Sequence, residues 1–138
     1  MTAPSFILKY DRDLPREPVL ALYRANDWSS ADKPDALLSA LANSERVVSA
    51  WANDLLIGLG NAISDGALVV YYPHLLVLPE WQGRGVGRAI AEAMQTFYGD
   101  FHQQVLLADT PAIGFYERNG FVAPPGAAAM WIYRGDDH

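Results

Sequence analysis

Leu75-Leu76-Val77-Leu78-Pro79-Glu80-Trp81-Gln82-Gly83-Arg84-Gly85-Val86-Gly87-Arg88-Ala89-Ile90 is the stretch that decides the fold. An apolar strand runs into a loop rich in glycine and arginine. The loop opens a helix with Val86, Ile90, Ala93, Met94 and Phe97 at helical spacing. Gly83, Gly85 and Gly87, at every second position, leave no side chains over the backbone. Their N–H groups are then able to converge at the positive end of the helix dipole, an arrangement that suits a phosphorylated ligand.

Three phosphate-binding patterns begin with a strand, a glycine loop and a helix. The Walker pattern requires a lysine for the outer phosphates and a hydroxyl for magnesium. The only lysines are Lys9 and Lys33, far from the loop. The dinucleotide pattern Gly-x-Gly-x-x-Gly/Ala fails in both registers, because Ile90 or Arg88 occupies the final small-residue position. The third pattern, Gln/Arg-x-x-Gly-x-Gly/Ala, is met by Gln82-Gly83-Arg84-Gly85-Val86-Gly87, with Val77-x-Pro79 before it and Arg88-Ala89-Ile90 after it. In this wording the segment resembles the acetyl-coenzyme A (acetyl-CoA) loop of the GNAT superfamily of N-acetyltransferases. The plain alternative is a strand-to-helix turn whose glycines only relieve backbone strain.

Composition bounds the rest. The chain has 138 residues, 51% hydrophobic and 19% charged, which suits one soluble globular domain over residues 1–138. It has no cysteine, which excludes disulfides, cysteine–metal sites and a cysteine acyl-enzyme, and fits a reducing, cytoplasmic compartment. No metal site is expected. The net charge of −6 disfavours nucleic acid as a partner and tilts the field toward a cationic substrate. The N-terminus, Met1-Thr2-Ala3-Pro4-Ser5-Phe6, has neither the basic region nor the apolar run of a signal peptide, and no membrane span is expected.

The periodicity predicts a strand over residues 5–10, a helix over 15–26 and a second helix beginning at Pro34. Strands follow over 46–51 and 55–64, then one long strand over 67–78 interrupted by Pro73, where a bulge or change of pairing is expected. After the loop and its helix come a strand over 104–109, a short helix over 111–119 ending at Gly120, and strands at 121–122 and 128–133 that close the sheet. This order resembles the GNAT acyl-CoA N-acyltransferase fold over nearly the whole chain. That fold is α+β: a central, mostly antiparallel sheet flanked by helices, with a splayed central strand pair.

A second segment, Ala108-Asp109-Thr110-Pro111-Ala112-Ile113-Gly114-Phe115-Tyr116-Glu117-Arg118-Asn119-Gly120-Phe121, looks like the second cofactor segment of the same superfamily. Carried over, the resemblance puts Tyr116 near the cofactor sulfur, with Phe115 and Asp109 beside the cofactor. A positioned phenol assists a departing thiolate by donating a proton or hydrogen bond. Taken alone, an aromatic at the Tyr116 spacing is more often core, and its company with Gly120-Phe121 downstream of the loop reverses that reading; Asp109 also reads as a helix cap. The resemblance also implies that Leu76, Val77 and Leu78 hold the pantetheine arm and present a backbone N–H to the acetyl oxygen, while residues Gln82 to Arg88 (Gly83, Arg84, Gly85, Val86, Gly87) take the diphosphate.

A base must deprotonate the attacking ammonium. His74, with an intrinsic pKa near 6.5, stands where related sequences often carry an acid, and is the leading candidate beside the reading of an inert strand histidine. Tyr71, Tyr72 and Asp65 are weaker ones, Asp65 reading first as a turn residue. Tyr23, Asp27, Trp28, Tyr72 and Trp131 are the candidates for the substrate pocket. Asn26-Asp27-Trp28-Ser29, Ile63-Ser64-Asp65-Gly66 and Met130-Trp131-Ile132-Tyr133 resemble the branch that includes serotonin N-acetyltransferase-like proteins. The resemblance therefore implies an acetyl-CoA-dependent N-acetyltransferase acting on a small-molecule primary amine in a ternary complex, in a homodimer. A CoA-binding module without turnover, or an acetyltransferase for protein or peptide amines, remains the alternative.

Overall fold

The computed structural model describes residues 5–136. Its elements are β1 (Ile7–Lys9), α1 (Arg16–Ala25), α2 (Pro34–Asn43), β2 (Arg46–Ala52), β3 (Leu55–Ser64), β4 (Val69–Tyr71), β5 (Leu75–Val77), α3 (Val86–Tyr98), β6 (Gln103–Val105) and α4 (Ile113–Arg118). Short 3-10 turns stand at Ser29–Asp32, Pro79–Trp81 and Thr110–Ala112. β1, β2 and β3 form an antiparallel meander, β4 joins β3 antiparallel, and β6 runs parallel to β4. This is a mixed, open sheet flanked by helices.

β2 and β3 are buried along runs of five and seven consecutive residues, so both faces of the sheet are covered. α1 contributes Val19, Leu20, Leu22 and Tyr23 to the core, and α3 contributes Val86, Ile90, Met94 and Tyr98. α3 lies directly on two glycines of β3. A Cβ at Gly58 would lie 2.8 Å from Val86 Cγ1, and one at Gly60 would lie 2.8 Å from Ile90 Cγ2. Those glycines set how deeply the first turns of α3 seat, and therefore where the loop before it stands. Gly58→Ala is expected to cost about 1–3 kcal/mol by overpacking, read as a lower urea midpoint at unchanged m-value.

The expected long strand over 67–78 is two strands. β4 pairs with Ile63 and Ser64, whereas β5 pairs with residues 58–60 of the same β3 edge. The break falls at Tyr72-Pro73-His74, where proline has no N–H to donate. Asn61 holds the break: its N–H donates to the His74 carbonyl (3.1 Å), and its Oδ1 accepts the His74 N–H (3.0 Å). β4 continues sideways into β6. β5 does not, and its outer edge has no strand beside it among the described residues. The sheet is thus split between β5 and β6.

Antiparallel alternation fixes which β5 groups face that split. The Leu78 N–H bonds Ile57 O (2.8 Å) and the His74 carbonyl accepts from Asn61, so the main chain of even-numbered residues faces β3. Leu75 and Val77 face outward. The Val77 carbonyl confirms this, since it accepts from Asn26 Nδ2 (3.1 Å) and Gln82 Nε2 (3.2 Å).

The C-terminal part departs from expectation. Neither 121–122 nor 128–133 is a strand; Val122 is 80% exposed, and Met130 and Ile132 are each 91% exposed. Trp131 stacks flat on Tyr133, 4.4 Å between centroids, and the Tyr133 hydroxyl and Asp136 N–H lie against Ser29 Oγ. Pro124-Pro125-Gly126 interrupts the approach, and strand propensity, which reflects packing against neighbours, does not itself supply a pairing edge. β6 is also shorter than the expected 104–109; residues 106–109 leave the sheet for the next turn. Met1 to Pro4, part of the segment read for a leader, lie outside the described residues. No helix among the described residues is long and apolar enough to cross a membrane.

Candidate active site

The loop after β5 is built by backbone conformation. Gly83 (φ +77°) and Gly85 (φ +85°) are left-handed, a region closed to most side chains. Gly85 is the N-terminal cap of α3, and its carbonyl starts the helix by accepting from Ala89 N–H (3.0 Å). No side chain caps this end, so the first-turn N–H groups, including those of Val86, Gly87 and Arg88, have no intrahelical partner and stand at the positive pole. A Cβ on Gly83 or Gly85 would meet nothing within 4 Å, so their outer side is open. Gly87 differs: a Cβ there would lie 3.2 Å from the Phe115 ring, and the glycine lets α4 close on α3.

The loop forms one wall of an open cleft of about 1430 Å³ that follows the split between β5 and the 109–118 segment. Asn26 and Trp28 bound it at the end of α1, Leu76 and Val77 along β5, and Asp109, Phe115 and Tyr116 on the far wall. Arg88 lines it too, its Nε 2.8 Å from the Glu92 carboxylate in an exposed pair. The Arg84 guanidinium sits 5.1 Å over the Trp81 ring. Arg118, not singled out by sequence reasoning, brings a further positive charge from α4.

A smaller, half-open recess lies between α3 and residues of β3, β5 and α4. Leu75 and Tyr116 line both spaces and separate them. Tyr116 packs edge-on against Phe115 (5.2 Å) and Phe121 (5.8 Å). Burial, and secondarily the negative charge of Asp109, push its pKa up to about 12, so the phenol keeps its proton at neutral pH. Its hydroxyl has no hydrogen-bond partner among the described residues, leaving it available to a ligand.

His74 also lines the recess, on the side away from α4. The fully buried Tyr23 of α1 places its hydroxyl 2.7 Å from His74 Nδ1. Desolvation raises the Tyr23 pKa far above its ordinary value, so this partner is a neutral phenol. The Tyr23, His74 and Trp28 rings pack mutually edge-to-face at 5.3–5.7 Å. Behind them a buried relay fixes the His74 backbone: Asn61 Nδ2 donates to Ser44 Oγ (3.1 Å), which donates to the Ala40 carbonyl (2.8 Å). Three of the residues singled out in the sequence therefore meet at one point. Asn61, which holds that point, was not among them, and nothing local in its sequence marks it. Asn26 was missed likewise; its amide ties α1 to β5 through the Leu22 and Val77 carbonyls.

Other sequence candidates stand elsewhere. Asp27 is an exposed left-handed turn residue (φ +58°) that lines neither space. Trp131 is 61% exposed on the C-terminal segment and lines neither space. Tyr72 lines the recess but is tied to Gln104 Oε1 (2.6 Å), and burial pushes its pKa up to about 12. Asp65 is a turn clamp, its Oδ1 accepting the N–H groups of Ala67, Leu68 and Val69. Those N–H bonds hold its carboxyl below the ordinary aspartate range, that of Leu68 contributing most. Since its folded pKa is the lower one, the clamp is intact above the unfolded aspartate value and is lost as pH falls through the folded value. Amide exchange at residues 67–69 is expected to accelerate on acidification in that window, and Asp65→Ala to abolish the pH dependence.

Among the described residues no group of three or more histidine or acidic side chains is placed to hold a metal ion. A matching family model, described as an acetyltransferase (GNAT) domain, covers residues 43–123, which contain the loop, His74 and Tyr116. The chain is 30% identical over 128 residues, 89% of its length, to "Probable acetyltransferase TAP2" of Glycine max, and covers 49% of that protein. It is 37% identical over 81 residues, 56% of its length, to "GCN5-related N-acetyltransferase 2, chloroplastic" of Arabidopsis thaliana, and covers 31% of that protein. The chain thus spans about half or less of these curated relatives. A GNAT-family acetyltransferase structure from Streptococcus pneumoniae superposes with a TM-score of 0.82 at 27% identity, over 94% of this chain and 99% of the other. By its family match and by this likeness of sequence and fold, the chain belongs to the GNAT acetyltransferase family.

Proposed function

We propose that this protein transfers the acetyl group of acetyl-CoA to the primary amine of a small molecule, by direct attack within a ternary complex. The observation that carries the reading is the shared wall at Tyr116, where a protonated and uncommitted phenol faces the split edge of β5. The site fits acetyl-CoA on three grounds: amides without intrahelical partners at the mouth of α3 for a diphosphate, a β5 edge with no strand beside it for an amide-bearing arm, and Arg88 and Arg118 on the cleft wall.

In this reading the first-turn amides of α3 and of the 83–87 loop hold the diphosphate. Leu75 and Val77 offer the β5 main-chain groups that face outward, and the Val77 N–H is the donor for the acyl oxygen. When bound, acetyl-CoA supplies an activated acyl carbon and a thiolate leaving group. His74 accepts the ammonium proton, its ring oriented by Tyr23. Tyr116 donates to the departing sulfur. The balance is one C–N bond formed and one C–S bond broken; the ammonium nitrogen gives up two protons, the first to His74 and on to solvent before attack, the second on collapse of the tetrahedral adduct, making good the one that Tyr116 passes to sulfur. His74→Gln is expected to lower kcat/KM by about 10²-fold or more and to remove the acidic limb of its pH profile, measured with the acceptor identified as below.

Trp28, beside His74 at the α1 end of the cleft, favours an aromatic or alkyl amine, in keeping with the resemblance to serotonin N-acetyltransferase-like proteins. A soybean relative named as a histone acetyltransferase supports a second reading, in which the acceptor is a protein or peptide amine. Thiol release from acetyl-CoA against a panel of arylalkylamines, polyamines and lysine peptides separates the readings. CoA binding without turnover of any amine would contradict both and leave a binding module. The same proposal places a pair of chains in the working assembly, which sedimentation tests directly.

A further inference from the structure

Val77 presents its N–H and its carbonyl on the same side of β5, the side turned toward the split. The carbonyl is filled. Asn26 Nδ2 donates to it at 3.1 Å and Gln82 Nε2 at 3.2 Å, which occupies both lone pairs of the oxygen. The N–H has no partner among the described residues. A group that accepts a hydrogen bond therefore finds a donor at residue 77, and one that donates finds no open acceptor there.

Asn26 caps the C-terminal end of α1, and its amide also donates to the Leu22 carbonyl at 3.0 Å. The orientation of this amide is forced. Both of its neighbours are carbonyl oxygens, so the reversed amide would set oxygen against oxygen. One side chain thus spans from the last turn of α1 to the outer edge of β5, 51 positions away. That helix end also carries the acceptor wall: Tyr23, just before Asn26, and Trp28, just after it, both pack against His74.

Among the described residues no strand flanks β5 on this side, so no ladder fixes how the edge at residue 77 is rolled about the strand axis. The two side-chain amides supply that constraint. In an extended residue the N–H and the carbonyl turn together, so holding the carbonyl aims the N–H. Resting on the acetyl-CoA reading above, we propose that Asn26 is a positioning residue: through the Val77 carbonyl it aims the Val77 N–H at the acyl oxygen, and it fixes that donor relative to the amine wall on α1. The aim is exacting, because a donor stabilises an oxyanion only from about 2.7–3.1 Å. The diphosphate is held elsewhere, at the mouth of α3, so Asn26 bears on the acyl group and not on CoA affinity.

The test compares amide spectra of ¹⁵N-labelled protein saturated with CoA and with acetyl-CoA, which differ only in the acetyl group. The wild-type Val77 amide is expected to differ between the two complexes. Asn26→Ala is expected to lose that difference, while the loop amides at Gly83, Gly85 and Gly87 still respond and CoA affinity stays within about threefold. Asn26→Ser keeps a donor for the Leu22 carbonyl but loses the reach to β5, so it is expected to behave as Asn26→Ala. With an acceptor from the amine panel, both variants are expected to lose about tenfold or more in kcat. The spectrum of each variant also reports that it is folded. An acetyl-dependent Val77 shift that survives in Asn26→Ala overturns the proposal. So does a serine variant that behaves as wild type, which reduces Asn26 to a helix cap. Loop amides that respond in the wild type without any acetyl-dependent shift at Val77 overturn the aimed donor and leave CoA binding intact. Loop amides that ignore both compounds overturn the acetyl-CoA reading and the proposal with it.

Discussion

Tyr116→Phe is expected to lower kcat by about 10²-fold or more, with CoA affinity held within about threefold. The hydroxyl makes no bond to the protein, so its removal leaves no buried partner unsatisfied and should not perturb folding. The ring contacts with Phe115 and Phe121 remain, and they account for the residue's packing. What is lost is a phenolic proton next to the β5 split, which burial and, secondarily, Asp109 make harder to remove than that of a free phenol. Asp109→Asn is a useful companion, since it removes the charge and keeps the shape. The measurement is steady-state thiol release with the best acceptor from the amine panel, together with calorimetry for CoA. A Tyr116→Phe variant with full kcat would remove the phenol from the mechanism and reduce Tyr116 to a packing residue.

Gly85→Val carries the other large effect. A β-branched residue at φ +85° is strained, at about 1–3 kcal/mol of stability. Relief of that strain turns the peptide groups at the cap of α3 away from their common focus. Loss of two hydrogen bonds to a charged phosphate, about 1.5 kcal/mol each, weakens CoA by about 100-fold. Gly126→Val is the control: φ is +84° and its Cβ space is equally open, but it lies on the exposed C-terminal segment. It should show the same kind of destabilisation with CoA affinity unchanged. Equal loss of CoA affinity in both variants would mean that the effect at Gly85 is one of global stability.

The parts legible in the sequence are those whose physics is local. The three glycines mark the loop because left-handed φ and unobstructed amides demand them, and Val86, Ile90 and Met94 mark α3 by period alone. Pro73 announced a change of pairing, though not that the two halves would take different stretches of one β3 edge. Other features depend on contacts that no local pattern carries. Tyr23 and His74 are 51 positions apart, and Asn61 holds His74 from the neighbouring strand. Asn26 reads as the last residue of the helix over 15–26, yet its side chain reaches β5. The apolar run around Trp131 has strand composition, and the structure leaves it without a pairing edge. The corrections therefore concentrate where pairing, not propensity, decides.

The account rests on backbone amides at the mouth of α3 receiving a diphosphate, with β5 receiving the arm that follows it. Amide chemical shifts of the ¹⁵N-labelled protein, recorded during titration with CoA, test this residue by residue. The largest changes are expected at Gly83, Gly85, Val86, Gly87 and Arg88, with Val77 following and the β1–β2 edge silent. Saturating CoA that leaves those amides unmoved, or that moves a different face of the sheet, would contradict it.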